Sequence, residues 1–374
     1  MSTAPNPADP NSFNHRFVRI PTTQHVYHVV DQAPLHHRGD LADAPTLLLC
    51  HGFPDLWFGW RYQIHAFAAR GWRVICPSQL GYGLSSAPSD PSHYSYKTVA
   101  YDLNLLLNEL DVPGQVIMLG HDWGGMVAWR FTNYFPHRVK AIACVCTPYQ
   151  APANSKTPII SDEELIRQYR PNFGYQLAFK KAGMANKLDQ VGDVFLEPMH
   201  SARFRRRPKE AKPEGSEMSS WVQDGRLEKS VERQIEQRRQ GKLPQPDPEP
   251  ELDFYLSTYS KTGFAGPLNW YKTRSINQLE EVASNLSPTF PPHIPALQLP
   301  AALDAALPPE MCLAPAVLKC FPGGNLEVRV LQTADHWCLS DENERGKVTE
   351  ILCEWIEMVL AGKWKPTGNV VSNL

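Results

Sequence analysis

No stretch of this chain reaches about 18 consecutive apolar residues, the length a membrane-crossing helix needs. The opening residues Met1-Ser2-Thr3-Ala4-Pro5-Asn6-Pro7 have neither a basic start nor an apolar core, so no secretory leader is expected. Charge of one sign is also scarce. A formal net charge of −2 argues against a general binder of nucleic acid or another polyanion. Cysteine occurs eight times, but never as Cys-x-x-Cys and never at zinc-binding spacings. Four of the eight, Cys50, Cys76, Cys144 and Cys146, sit in apolar strand-like runs, where a thiol behaves as a small hydrophobe. Cys144 and Cys146 alternate across one strand and point opposite ways. Reduced, structural thiols in a cytoplasmic protein are the expectation. The sequon Asn285-Leu286-Ser287, followed by Pro288, is read as accidental.

Proline, by contrast, is plentiful: 34 of 374 residues, where about 5% is usual. A hydrophobic share of 42% and a charged share of 20% are those of a globular protein with enough chain for a real core. Residues 1–15 are polar and proline-rich and are expected to form a flexible tail. Beyond them, short continuous apolar runs alternate with helical patterns. The runs are Thr46–Cys50, Arg73–Cys76, Val116–Leu119, Ala141–Cys146, Ala296–Leu299 and Val328–Leu331. Such runs fit strands covered on both faces, and the helices between them fit βαβ units of a parallel sheet. The last helix is the clearest, with Val348, Ile351, Leu352, Trp355 and Val359 on one face.

From Thr147 to about Ser287 the strand–helix alternation stops. The expected class is therefore α/β, a mostly parallel sheet with an inserted, mainly helical cap. The expected division is a first core part at 16–147, a cap at 148–287 with an irregular loop about 201–250, and a second core part at 288–374. Within that loop lies a basic run, Arg203-Phe204-Arg205-Arg206-Arg207, followed by Lys209, Glu210, Lys212, Glu214 and Glu217. It reads as a solvated mixed-charge segment rather than an anion-binding patch.

The most informative pentapeptide is Gly120-His121-Asp122-Trp123-Gly124, directly after Val116-Ile117-Met118-Leu119. This is the G-x-S-x-G nucleophile elbow of α/β-hydrolases with aspartate in place of serine. A carboxylate nucleophile suits displacement at an sp3 carbon and leaves an alkyl ester on the enzyme. That narrows the substrates to epoxides, alkyl halides and their relatives. The plain alternative is that Asp122 merely caps the following helix. Upstream, His51-Gly52-Phe53-Pro54 follows a strand at the place where this fold supplies part of its oxyanion hole. Backbone N–H groups of Phe53 and Trp123 are the expected donors to the tetrahedral intermediate, and Phe53-Pro54 is a candidate cis peptide.

In chain order this fold places nucleophile, acid, then histidine. His336 follows Val328–Leu331 and is the expected base. Asp304, just past Ala296–Leu299, is the expected acid. Asp335 would have to fold back onto its neighbour's ring, and Glu310 lies further into the next segment. After Ala141–Cys146, the other place for an acid, Thr147-Pro148-Tyr149-Gln150 offers no carboxylate.

On these residues, with Gly81-Tyr82-Gly83-x-Ser85 and Asp335-His336-Trp337, the chain resembles the soluble epoxide hydrolases of the α/β-hydrolase fold, most closely fungal or bacterial members, over most of Phe17 to Leu360. The resemblance adds two cap tyrosines. Tyr175-Gln176-Leu177 and Gly266-Pro267-Leu268-Asn269-Trp270-Tyr271 match the family contexts, so Tyr175 and Tyr271 take the role of donors to the opening epoxide oxygen. A phenol, neutral at pH 7 with a pKa of ~10, suits that role. The plain alternative for each is a half-buried cap aromatic. The implied reaction is hydrolysis of a small apolar epoxide to a vicinal diol by way of an ester on Asp122, with water as co-substrate and no cofactor or metal. Two rivals remain: a haloalkane dehalogenase with the same nucleophile, and a non-catalytic receptor with the same fold. A homodimer is among the states the sequence leaves open.

Overall fold

A computed structural model describes residues 4–35, 39, 41–206, 220–366, 368 and 371–373. Nine strands form one sheet in the order β1-β2-β4-β3-β5-β6-β7-β8-β9. They are β1 His15–Arg19, β2 Val26–Gln32, β3 Thr46–Cys50, β4 Arg73–Pro77, β5 Val116–His121, β6 Val139–Val145, β7 Ala296–Leu299, β8 Leu326–Val330 and β9 Val371–Asn373. The pairs β1/β2 and β2/β4 are antiparallel, and every pairing from β4 onward is parallel. Strands β3, β4, β5 and β7 are buried along their whole length. Sandwiching helices on both faces leaves no wet face, which is why these strands read as unbroken apolar runs.

All six strands expected from the sequence are present, with ends displaced by at most two residues. The other three escaped. Strand β2 is buried yet polar, because its polar groups find partners. Asp31 accepts both Arg73 Nε and Nη2 at 2.9 Å, and His28 Nδ1 meets Ser78 Oγ at 2.9 Å. Paired groups of this kind bury without an apolar signature. Strand β1 is an exposed edge with only Val18 buried, and β9 is three residues long. The final helix spans Arg345–Leu360 and buries all five residues of its expected face. None of the eight cysteines is in a disulfide, and seven are buried.

Between β6 and β7 lies the inserted, mainly helical cap. Three expectations need correction. Where an irregular loop was expected at 201–250, Arg226–Arg239 is a helix of 14 residues. Its inward face is Leu227, Ser230, Val231, Gln234 and Ile235, at helical spacing; charges everywhere else hid that face. The basic run is also not simply solvated. Arg203 Nη1 donates to Pro248 O at 2.8 Å, Arg205 Nε lies 3.2 Å from Asp341 Oδ2, and Arg206 pairs with Glu342. The Arg205 and Arg206 pairs tie the cap to the segment before the final helix. Arg207, Lys209, Glu210, Lys212, Glu214 and Glu217 lie outside the described residues. The tail expectation also fails from residue 4 on, since Phe13 is buried against Trp57 and Pro5 O meets His65 Nδ1 at 2.7 Å.

Candidate active site

A parallel sheet presents the carboxyl ends of its strands as one rim, and this chain sets its chemistry there. Phe53 follows β3, Asp122 follows β5, Asp304 follows β7 and His336 follows β8. At the elbow, Asp122 has φ 53° and ψ −125°, a conformation L-residues rarely adopt. Such strain persists where the surroundings over-determine it. Here the helix Trp123–Tyr134 packs so closely on β3 that a Cβ at Gly124 would lie 2.1 Å from Cys50 O. Thr147 Oγ1 adds a hydrogen bond to Asp122 O at 2.8 Å.

The side chain of Asp122 makes no capping bond to its helix. Instead Oδ1 accepts the Phe53 N–H at 2.8 Å. The Trp123 N–H also acts on this carboxylate, so both backbone donors expected of an oxyanion hole face Asp122, and Phe53-Pro54 is cis. The other oxygen, Oδ2, stands 3.7 Å from His336 Nε2. On the far side of the ring, His336 Nδ1 lies 2.6 Å from Asp304 Oδ2. Asp304 is 2% exposed, and its Oδ1 accepts the N–H groups of Ala306 and Leu307 at 2.9 Å. Asp335 turns away and caps Trp337 N at 2.8 Å. Glu310 sits in the first turn of the helix Pro309–Leu313.

Electrostatics follow from this geometry. Burial alone would lower the His336 pKa, but the Asp304 and Asp122 carboxylates outweigh it and raise it to about 9. Burial pushes Asp304 up, yet His336 and the two N–H groups more than compensate and hold it below the ordinary carboxylate range. For Asp122 burial prevails, raising its pKa despite His336 and the Phe53 and Trp123 donors.

From the cap, Tyr175 on the helix Gly174–Lys180 and Tyr271 on the turn Asn269–Lys272 face this carboxylate. Their rings lie 6.3 Å apart, and Tyr271 packs on Phe53 at 5.5 Å and Trp123 at 5.1 Å. Burial first, then the Asp122 charge and, for Tyr271, its neighbour Tyr175, push both phenols above their ordinary value. Each therefore stays protonated and able to donate. The Trp123 side chain, facing the Tyr271 hydroxyl, offsets part of that rise. Tyr271 is placed by neighbours that the sequence motif carries along. Trp270 Nε1 donates to Leu80 O at 2.9 Å, and Gly266 lies so close to Gly81 that a Cβ on it would sit 2.6 Å from Gly81 O.

All seven residues expected from the sequence, Phe53, Asp122, Trp123, Tyr175, Tyr271, Asp304 and His336, thus meet at one place. An apolar cleft opens beside them, walled by Phe179, Phe195, Met199, Trp221 and Leu227. Residues that sequence reasoning missed are supports. His121 Nε2 meets His336 O at 2.8 Å and fixes the backbone of the base. Tyr255 donates to Asp55 Oδ1 at 2.7 Å and Tyr259 to Pro54 O at 3.0 Å, latching the cap helix Pro250–Thr262 onto the Phe53 loop. The one available signal was their place, since His121 lies inside the elbow and Asp55 directly after the His-Gly-Phe-Pro tetrapeptide. Among the described residues, His121, Cys146 and His336 approach within 4.8 Å of one another. His121 Nε2 is bonded to His336 O and His336 Nδ1 to Asp304, and a hydrogen bond to Cys338 together with burial keeps the Cys146 thiol protonated. That set does not suit a metal ion.

Comparison with known proteins agrees with this geometry. Residues 45–342 match the model of the alpha/beta hydrolase fold family. An epoxide hydrolase from Neurospora crassa, srdG, is 34% identical over 364 residues, covering 95% of this chain and 98% of that protein. Bifunctional epoxide hydrolase 2 of Sus scrofa is 30% identical over 94% of this chain, which spans only 57% of that relative's length. Among solved structures, epoxide hydrolase A from Mycobacterium thermoresistibile superposes with a TM-score of 0.67 at 26% identity, covering 92% of this chain and 98% of the other. No helix among the described residues is long and apolar enough to cross a membrane. With most of its length matched in this way, the chain belongs to the α/β-hydrolase fold family and, within it, to the epoxide hydrolases.

Proposed function

We propose that this protein hydrolyses epoxides to vicinal diols through a covalent ester on Asp122, in a site built jointly by core (16–147 and 288–374) and cap (148–287). The observation that carries this reading is the division of labour on one carboxylate. Asp122 Oδ1 accepts the Phe53 N–H, with the Trp123 N–H also on this carboxylate, while Oδ2 faces His336.

In the first step Asp122 Oδ2 attacks one epoxide carbon and the carbon–oxygen bond of the ring breaks. Tyr175 and Tyr271 donate hydrogen bonds to the departing oxygen, and one of them supplies its proton. An alkoxide is otherwise a poor leaving group. Ester formation removes the negative charge of Asp122, and with it part of the field that keeps His336 protonated. His336 can then give up its proton, which restores the one lost by the tyrosine in ring opening, and act as a base, oriented by Asp304. In the second step it takes a proton from water, the hydroxide adds to Asp122 Cγ, and the developing oxyanion falls on Oδ1, already facing the Phe53 N–H. Collapse releases the diol and regenerates the carboxylate. The apolar Phe53 side chain offers no second halide donor beside Trp123, and the two phenols suit an alkoxide, which favours an epoxide over an alkyl halide.

The experiment is diol formation from styrene oxide by the wild type and Asp122→Ala, with a chloroalkane run in parallel. Diol from the wild type alone supports the reading. Halide release without diol overturns it in favour of dehalogenation, and tight ligand binding with neither product would point to a receptor.

A further inference from the structure

The core helix Tyr96–Glu109 begins beside the nucleophile, with the Tyr96 ring 6.4 Å from that of Trp123. The first N–H groups of a helix have no partner within it. Ser95 meets two of them here, its Oγ accepting Thr98 N at 3.2 Å and its carbonyl Val99 N at 2.9 Å. The Tyr96 N–H is met from the cap, where Asn277 Oδ1 accepts it at 2.8 Å.

Asn277 is buried, and its amide is used at both ends. While Oδ1 holds Tyr96 N, Nδ2 donates to Thr273 Oγ1 at 3.0 Å, one turn back at the start of the helix Arg274–Ala283. The Thr273 hydroxyl in turn donates to Trp270 O at 2.8 Å. Three hydrogen bonds thus run in one line from a core helix to the peptide that joins Trp270 to Tyr271. A peptide unit is planar, so holding its carbonyl oxygen also sets the Tyr271 N and Cα at its other end. The Trp270 side chain pins the same residue a second time through Nε1 on Leu80 O at 2.9 Å.

The direction of every hydrogen in this line is forced. Thr273 has one hydroxyl hydrogen, spent on Trp270 O, so a donor must face its oxygen, while the Tyr96 N–H needs an acceptor. A side-chain amide is both at once, which a carboxylate or an aliphatic side chain is not. Docking of the helix itself does not depend on Asn277. One turn further along, Glu281 pairs with Arg130 of the core helix Trp123–Tyr134, Nε to Oε1 2.5 Å, and accepts Ala153 N at 2.7 Å.

We propose that Asn277 and Thr273 are positioning residues for the ring-opening step, which transmit the position of the core helix to the Trp270–Tyr271 peptide and so aim the Tyr271 hydroxyl at the epoxide oxygen. They act through Tyr271 alone, since Tyr175 is carried by the separate helix Gly174–Lys180. This inference rests on the epoxide-hydrolase reading of the site.

The test is pre-steady-state kinetics with styrene oxide. Thr273→Val keeps the shape and removes the hydroxyl, and Asn277→Asp keeps the acceptor for Tyr96 N but removes the donor to Thr273. Each should slow ester formation by roughly tenfold or more and leave ester hydrolysis unchanged, because a displaced donor costs rate only in the step it serves. Thr273→Ser, which retains the hydroxyl, should recover most of the loss. In a Tyr271→Phe background neither substitution should slow ester formation by more than about twofold, as expected of residues acting through one group. Ester formation at the wild-type rate in both variants overturns the inference. Equal slowing of both steps overturns it in favour of a general disturbance of the fold, and losses that multiply with that of Tyr271→Phe show that the two residues do not act through this phenol. In each of these cases the epoxide reading stands. If the wild type forms neither ester nor diol, the reading itself fails and the inference with it.

Discussion

His336 stands between two carboxylates, with Nδ1 2.6 Å from Asp304 Oδ2 and Nε2 3.7 Å from Asp122 Oδ2. The two are not equivalent. Asp304 is locked by two backbone N–H groups and keeps its charge throughout, while Asp122 loses its charge when it becomes an ester. The protonation of His336 is thereby coupled to the progress of the reaction.

If that coupling is correct, His336→Gln separates the two steps. The ester should still form, because Asp122 and the tyrosines remain, but its hydrolysis should slow by at least about 10²-fold. Intact mass spectrometry after brief exposure to styrene oxide should show protein heavier by one substrate mass. Normal turnover by this variant would remove His336 from the second step.

The phenols share one task and should not behave additively. Tyr271→Phe and Tyr175→Phe should each lower kcat by roughly 10- to 100-fold, and the double variant by more than the product of the two single losses, since one donor partly covers for the other. Pre-steady-state ester formation is the measurement, because only the ring-opening step should slow. A double variant as fast as the wild type would reduce both residues to packing.

Stability should depend on pH through the same residues. His336 has its folded-state pKa raised to about 9 from an ordinary 6.5. Its contribution is therefore fully present below pH 6.5 and lost as pH rises through about 9. Asp304 works in the opposite sense, since its pKa is lowered from 3.8: its contribution is present above that value and lost as pH falls further. Calorimetry from pH 7 to 10 should record a falling Tm in the wild type and a smaller fall in His336→Gln. Equal slopes would assign the alkaline loss to other groups.

Gly266→Ala should matter although no chemistry passes through it. The added Cβ would lie 2.6 Å from Gly81 O and 2.9 Å from Gly81 Cα, both backbone atoms with little freedom to move. Overpacking of this kind costs about 1–3 kcal/mol, and the displacement is passed to Tyr271 five residues on. A lower Tm with reduced kcat is expected. Unchanged values for both would show that the cap can shift without disturbing its tyrosine.

Much of this molecule was legible in the chain because its signals are local. The six apolar strands could be read since burial on both faces imposes an unbroken apolar run. The elbow could be read since a strand, a strained turn and a close helix demand glycine at fixed offsets around Asp122. Strand β2 could not, because its His28 and Asp31 are buried by virtue of Ser78 and Arg73, which lie 50 and 42 residues away. The helix Arg226–Arg239 was hidden by its charge, although the spacing of Leu227, Val231 and Ile235 carried the signal.

By itself the sequence determined the kind of nucleophile, the order of nucleophile, acid and base along the chain, and the alternation of strand and helix, all of which depend on residue type and short spacing. Only the tertiary structure decided what those residues are to one another. Asp122, Asp304 and His336 lie far apart in the chain and meet because parallel strands bring their carboxyl ends to a single rim. The tertiary structure also walled the space beside Asp122 with apolar cap side chains, because that wall depends on which cap helices pack over Asp122, and helix packing is settled by long-range contacts that no short stretch of sequence contains.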